Sequence, residues 1–124
     1  MGKSMNTFRF LDFEIYKHSR KMYQKITKIT KKFPKSYYYL ADQLKRAMLS
    51  VCLNIAEGSA KSSDKDFARY LQNSMGSINE VVACLNICLY ENLISEDEYQ
   101  EMIKELEKIA KQIGSFIKKL KLCN

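Results

Sequence analysis

Proline and glycine are scarce in this 124-residue chain, with one Pro and four Gly. Few positions therefore break a helix, and a turn-rich β fold is disfavoured. No stretch approaches the roughly 20 apolar residues that a membrane-spanning helix needs, so no membrane role is expected. The segment from Met1 to Phe10 lacks an apolar run followed by a small-residue cleavage site, and no secretion signal is expected. Histidine occurs once, as His18. A di-metal carboxylate site in a helical bundle takes two Glu-x-x-His units, which one His cannot supply. No Gly-rich loop suited to cradling phosphates is present. No nucleophile has a base beside it, since His18 stands in a basic stretch with only Glu14 at helical spacing. The expectation is a chain without catalytic residues, metal or cofactor.

Four cysteines do not make a disulfide framework. Cys84 and Cys88 stand one helical turn apart inside an apolar pattern, Cys52 sits in another, and Cys123 is next to last. Buried thiols behave as small hydrophobes, whereas a metal site needs a convergent ligand set. Reduced thiols fit a cytoplasmic setting, the expected localisation.

What the chain does have is periodicity. Phe67, Leu71, Ser74, Ile78, Val81, Leu85 and Cys88 recur at alternating spacings of four and three. Tyr99, Met102, Leu106, Ile109, Ile113, Phe116 and Leu120 do the same. Such spacing puts one continuous stripe on one side of a helix, as the seam of a bundle requires. Ile15, Met22, Ile26, Ile29 and Phe33 share a third face, and Leu40, Leu44, Met48, Val51 and Ile55 a fourth. Pro34 ends the first helix nearby. Gly58 is expected to close the second in a left-handed conformation. Ser63 with Asp66, and Ser95 with Glu98, read as capping boxes for the third and fourth. The spacing predicts helices over 11–33, 37–58, 64–92 and 96–121. Short connections make neighbours antiparallel. The fold class is all-α, an antiparallel up-down-up-down four-helix bundle. It occupies 11–121, after an N-terminal extension (1–10) and before a C-terminal tail (122–124).

The net charge of +7 is uneven. Residues 1–36 carry ten Lys or Arg against Asp12 and Glu14, a net of +8, so the rest of the chain is close to neutral. At 100° per residue, Lys17, Arg20, Lys21, Lys25, Lys28, Lys31, Lys32 and Lys35 fall within an arc of roughly 140° opposite the apolar stripe. Such an arc is either a solvated face or a ridge for the phosphates of RNA or DNA, whose binding releases counterions. Tyr37, Tyr38 and Tyr39 adjoin it. They either pack a helix start or stack on unpaired bases.

A polar stripe runs beside the core on the second and third helices. Arg46, Ser50, Asn54 and Glu57 share one face, and Asn73, Gly76, Ser77 and Glu80 form its counterpart. Gly76 costs about 1 kcal/mol relative to Ala inside a helix, which close approach by another backbone would offset. The stripe reads as a partly exposed polar flank, or as a structural or oligomer network that fixes packing register and pairs Arg46 with Glu80.

The same residues carry a resemblance. The runs Gln43 to Ala47 and Ser50 to Gly58, then Asp66 to Leu71 and Gly76 to Glu80, follow in order. They resemble the signature of the four-helix proteins encoded in bacterial 23S rRNA intervening sequences, and Phe33-Pro34 is similar to the end of that family's first helix. The resemblance covers nearly the whole chain and implies a homopentameric ring. A related branch, the accessory variability determinant of diversity-generating retroelements, implies a basic pentamer that binds nucleic acid and a reverse transcriptase. The expected function is therefore a non-enzymatic, basic homo-oligomer, pentameric by resemblance, that binds RNA or an RNA–protein complex. The alternative is a protein-interaction or accessory subunit, such as a reverse-transcriptase partner in a retroelement of that kind.

Overall fold

A computed structural model describes residues 7–122. Cys123, and most of the N-terminal extension expected over 1–10, lie outside the described residues. Four α-helices account for most of the rest: α1 (Glu14–Thr30), α2 (Tyr38–Ser59), α3 (Asp64–Tyr90) and α4 (Glu96–Leu122). The starts of α3 and α4 follow from short polar side chains. Ser63 Oγ accepts from the Asp66 amide at 3.1 Å. At α4 the box is reciprocal: Ser95 Oγ accepts from the Glu98 amide at 3.1 Å, while Glu98 Oε1 accepts from the Ser95 amide at 2.8 Å. Two amides without helical acceptors are thereby satisfied.

Cross-helix bonds fix the direction of packing. Along α2 and α3, Tyr37 meets Glu91, Gln43 meets Glu80, Ser50 meets Ser77, and Val51 meets Ser74. One number falls as the other rises, so the two helices are antiparallel. On the other side His18 meets Gln112 and Lys32 meets Glu98, which makes α1 and α4 antiparallel as well. The result is the expected up-down-up-down bundle. Its core takes the four stripes: Ile26, Leu44, Met48, Val51, Ile55, Leu71, Val81, Leu85, Leu106 and Ile113 are almost wholly shielded from solvent. Ser74, the one polar member of the α3 stripe, is buried too, and its hydroxyl donates to the Val51 carbonyl at 2.9 Å.

Helix ends depart from the sequence reading where tertiary contacts decide them. A 3-10 turn (Arg9–Asp12) precedes α1, and extended Phe13 separates the two, so the helix starts at 14 rather than 11. The Arg9 guanidinium holds this segment across the bundle, donating to the Ser59 carbonyl at 3.0 Å and lying 5.6 Å from the Phe13 and Phe67 ring centroids. The last turn of α1 tightens before Pro34, with the Phe33 amide on the Thr30 carbonyl at 3.1 Å. At the other end of the chain, α3 closes on Asn92, whose φ is 61°. Leu93 N donates to Cys88 O, and Asn92 N to Leu89 O. Both are bonds of a Schellman closure.

Gly58 corrects the sequence reading. No glycine among the described residues has a positive φ, and Gly58 lies inside the last turn of α2. A Cβ placed there would sit 2.8 Å from Tyr70 Cβ and 2.9 Å from Phe67 Cδ1. Its role is close approach of α3, not helix closure.

Candidate nucleic-acid interface

The basic arc of α1 is real but unequal. All eight cations are exposed except Lys17, which is half-buried and lies 3.9 Å from Glu14. Lys32 pairs with Glu98 at 3.5 Å. The other six, Arg20, Lys21, Lys25, Lys28, Lys31 and Lys35, form no ion pair among the described residues. Arg20 spreads over the Tyr16 ring, 5.7 Å from its centroid. Lys31, Lys32 and Lys35 lie beyond the last residue of α1, on the turns that lead into α2.

Acids from α4 divide the arc lengthwise. Glu98 and Glu101 share a groove with Lys25, Lys28 and Lys32, and Glu105 shares the next with Lys21, Lys25 and Lys28. Nearer the start of α1 the signs reverse: Glu14 lines a groove with Lys111 and Lys119. The α4-facing flank of the arc therefore meets a complementary helix, whereas Arg20, which acts on Cys52 of α2, and Lys31, which shares a groove with Asp42 and Lys45 of α2, line no groove with these carboxylates. The backbone amide of Ser95, with Lys32 nearby, holds the Glu98 carboxyl below its ordinary pKa. The acid spacing of three and four along α4 was visible in the sequence; that these acids face α1 required knowing which helices are neighbours.

On the α2–α3 face the structure brings together part of the expected network. Ser50 and Ser77 hydroxyls are 2.9 Å apart, and Asn54 Nδ2 donates to Ser50 O at 2.9 Å and Oγ at 3.2 Å. Glu80 accepts from Gln43, not from Arg46. Arg46 and Glu57 are exposed and form no ion pair among the described residues, so the buried Arg46–Glu80 pair is overturned. Arg46 is rotated about 60° from Gln43 around α2, away from α3. Gly76 is exposed and an added Cβ would meet nothing within 4 Å, so no described element approaches it. Leu53 and Ile87, 54% and 49% exposed, stand on the same face. The sequence reading missed both because it assigned apolar residues to the seams.

Burial pushes the Cys52 and Cys88 thiols up to about 11 and raises Cys84 as well. No cluster of three or more potential metal ligands occurs among the described residues, and no helix there is long and apolar enough to cross a membrane.

The order of the signature runs, now seen as the α2–α3 core and its polar flank, matches a known pattern. Residues 11–115 fit the family model described as 23S rRNA-intervening sequence protein. The chain belongs to this family. It is also similar to a solved protein of unknown function from the S23 ribosomal protein family of Bacteroides thetaiotaomicron VPI-5482. Identity is 22% and the TM-score 0.77, over 84% of this chain and 95% of that one, which shows a shared fold. No curated protein matches. Gly58, and Phe67 and Tyr70 that pack against it, fall in the signature runs, while Lys31 and Lys35 lie outside them.

Proposed function

We propose that the protein is a cytoplasmic, non-enzymatic homo-oligomer that binds RNA or an RNA–protein complex through the basic positions of α1 and the turn that follows it. The observation that carries the reading is the set of six arc cations that form no ion pair among the described residues. Cations not held in ion pairs exchange solution anions for phosphates, and the released counterions drive binding. Assembly, pentameric by resemblance, would use the α2–α3 face, where Leu53 and Ile87 are exposed beside the open side of Gly76.

The test is a salt titration of RNA binding with Lys21, Lys28, Lys31 and Lys35 replaced by Gln. Lys32 is left intact because it is paired with Glu98. Each lost phosphate contact lowers the slope of log affinity against log salt by about 0.7–0.9. A folded, assembled variant with unchanged affinity and slope makes the arc a solvated face. The exposed apolar patch on α2–α3 then favours the second reading, a protein-interaction subunit such as a reverse-transcriptase partner.

A further inference from the structure

We infer that the groove between α1 and α2 beside Tyr38 receives one unpaired nucleotide of RNA, with its base on the Tyr38 ring and its phosphates at Lys31 and Lys45. This rests on the nucleic-acid reading above and narrows it from RNA in general to single strands.

The groove has a volume of about 350 Å³ and is lined by Lys31, Tyr38, Ala41, Asp42 and Lys45, with Thr27 and Thr30 at its base. That volume lies in the range of small-ligand clefts. Its base is apolar in effect. The Thr30 hydroxyl donates to the Ile26 and Thr27 carbonyls and the Thr27 hydroxyl to Tyr23 O, so neither is a free donor. Tyr38 is 53% exposed. Tyr37 and Tyr39 stack on each other, Tyr16 meets Phe10 and Arg20, and Tyr70 meets Lys61 and Arg69. Tyr38 has no ring or cation partner of this kind among the described residues, so its face is open to a base.

Charge at the rim points to the same ligand. Lys31 forms no ion pair among the described residues, and Lys45 pairs with Asp42 at 3.8 Å. The Asp42 carboxylate offers an acceptor to a base amine or a ribose hydroxyl. An aromatic face flanked by cations is how proteins hold single strands, because every base has a π-face and every link a phosphate. In a duplex both faces of an internal base are stacked, so it cannot cover Tyr38, whereas the outer arc of α1 meets paired and unpaired backbones alike.

The experiment compares fluorescence anisotropy of an oligouridylate of about 12 nucleotides with that of a duplex RNA of the same length, across salt. Tyr38→Ala is expected to weaken the single strand about 5- to 150-fold with its salt slope unchanged. The same variant leaves duplex binding unchanged, and Tyr38→Phe retains both. Lys31→Gln with Lys45→Gln lowers the single-strand slope by about 1.4. No loss in Tyr38→Ala, or an equal loss on the duplex, overturns the site while leaving the nucleic-acid reading standing. Failure of the unaltered protein to bind either RNA removes both. Cross-linking of 4-thiouridine RNA to the unaltered protein, expected within residues 31–45, decides the matter if the variant does not fold; cross-links confined to other segments overturn the site.

Discussion

Two glycines separate what a residue does for its own chain from what it leaves available. At Gly58 an added methyl would meet Tyr70 Cβ at 2.8 Å and the Phe67 ring at 2.9 Å, and α3 would have to move. Gly58→Ala is expected to lower unfolding stability in urea by about 1–3 kcal/mol, as overpacking does. At Gly76 the space is empty. Gly76→Ala is therefore expected to stabilise the isolated fold by about 0.5–1 kcal/mol through helix propensity alone. Equal effects of the two changes would refute this assignment. In the sequence the roles were exchanged: Gly58 looked like a helix closure and Gly76 like a close approach. Nothing local distinguishes them, since the same missing Cβ serves a left-handed turn and a tight crossing. Asn92, the residue that does adopt a positive φ, gave no periodic signal.

Among the elements, α4 was the most legible and α1 the least. Ser95 and Glu98 are three residues apart beside a strict apolar stripe, so the start of α4 could be read to the residue. Ser95→Ala is expected to cost about 1 kcal/mol in thermal or urea unfolding. The Glu98 carboxyl, held below its ordinary value of 4.5, adds a pH dependence of known sign. A depressed acid stabilises the fold above the unfolded value, and its contribution fades as pH falls through the folded value. Ser95→Ala should narrow that acid-side loss, and an unchanged acid limb would show that Glu98 does not gain from the cap. The start of α1 was misread because Arg9 reaches residues about fifty positions away, Ser59 and Phe67, and no local pattern encodes such contacts. Of its basic arc, Lys17, Arg20, Lys21, Lys25 and Lys28 stand on the helix, while Lys31, Lys32 and Lys35 follow its end at Thr30. The arc's division by Glu98, Glu101 and Glu105 was not legible, because those carboxylates come from the far end of the chain.

For the whole molecule the open question is assembly, and the α2–α3 face supplies the handle. Leu53 and Ile87 lie where solvent reaches them in one copy. Leu53→Glu with Ile87→Glu is expected to leave the helical fold within about 0.5 kcal/mol of its starting stability, as surface changes do. If the proposed oligomer uses this face, the same pair converts it to a species near the chain mass of 14.5 kDa in sedimentation velocity at micromolar concentration. A large assembly that survives both changes would place the contact elsewhere. The bundle itself was legible because each seam is periodic. This face was not, because an apolar residue at its edge looks like one more core position until the helices are placed.

The buried thiols give the bundle an internal clock. Cys52 lies on the side of α2 that feels Arg20 of α1, whereas Cys84 and Cys88 lie on α3. With its pKa held up by burial, none of the three is a ready nucleophile near neutral pH, because the thiolate is the reacting form. Alkylation of these positions must wait for the chain to open, so its rate counts openings. Detachment of α1 alone would mark Cys52 first, and parting of α2 from α3 would mark Cys84 and Cys88. With Cys123 replaced by Ser to silence the background, the order of labelling would report which seam of the closed bundle yields first.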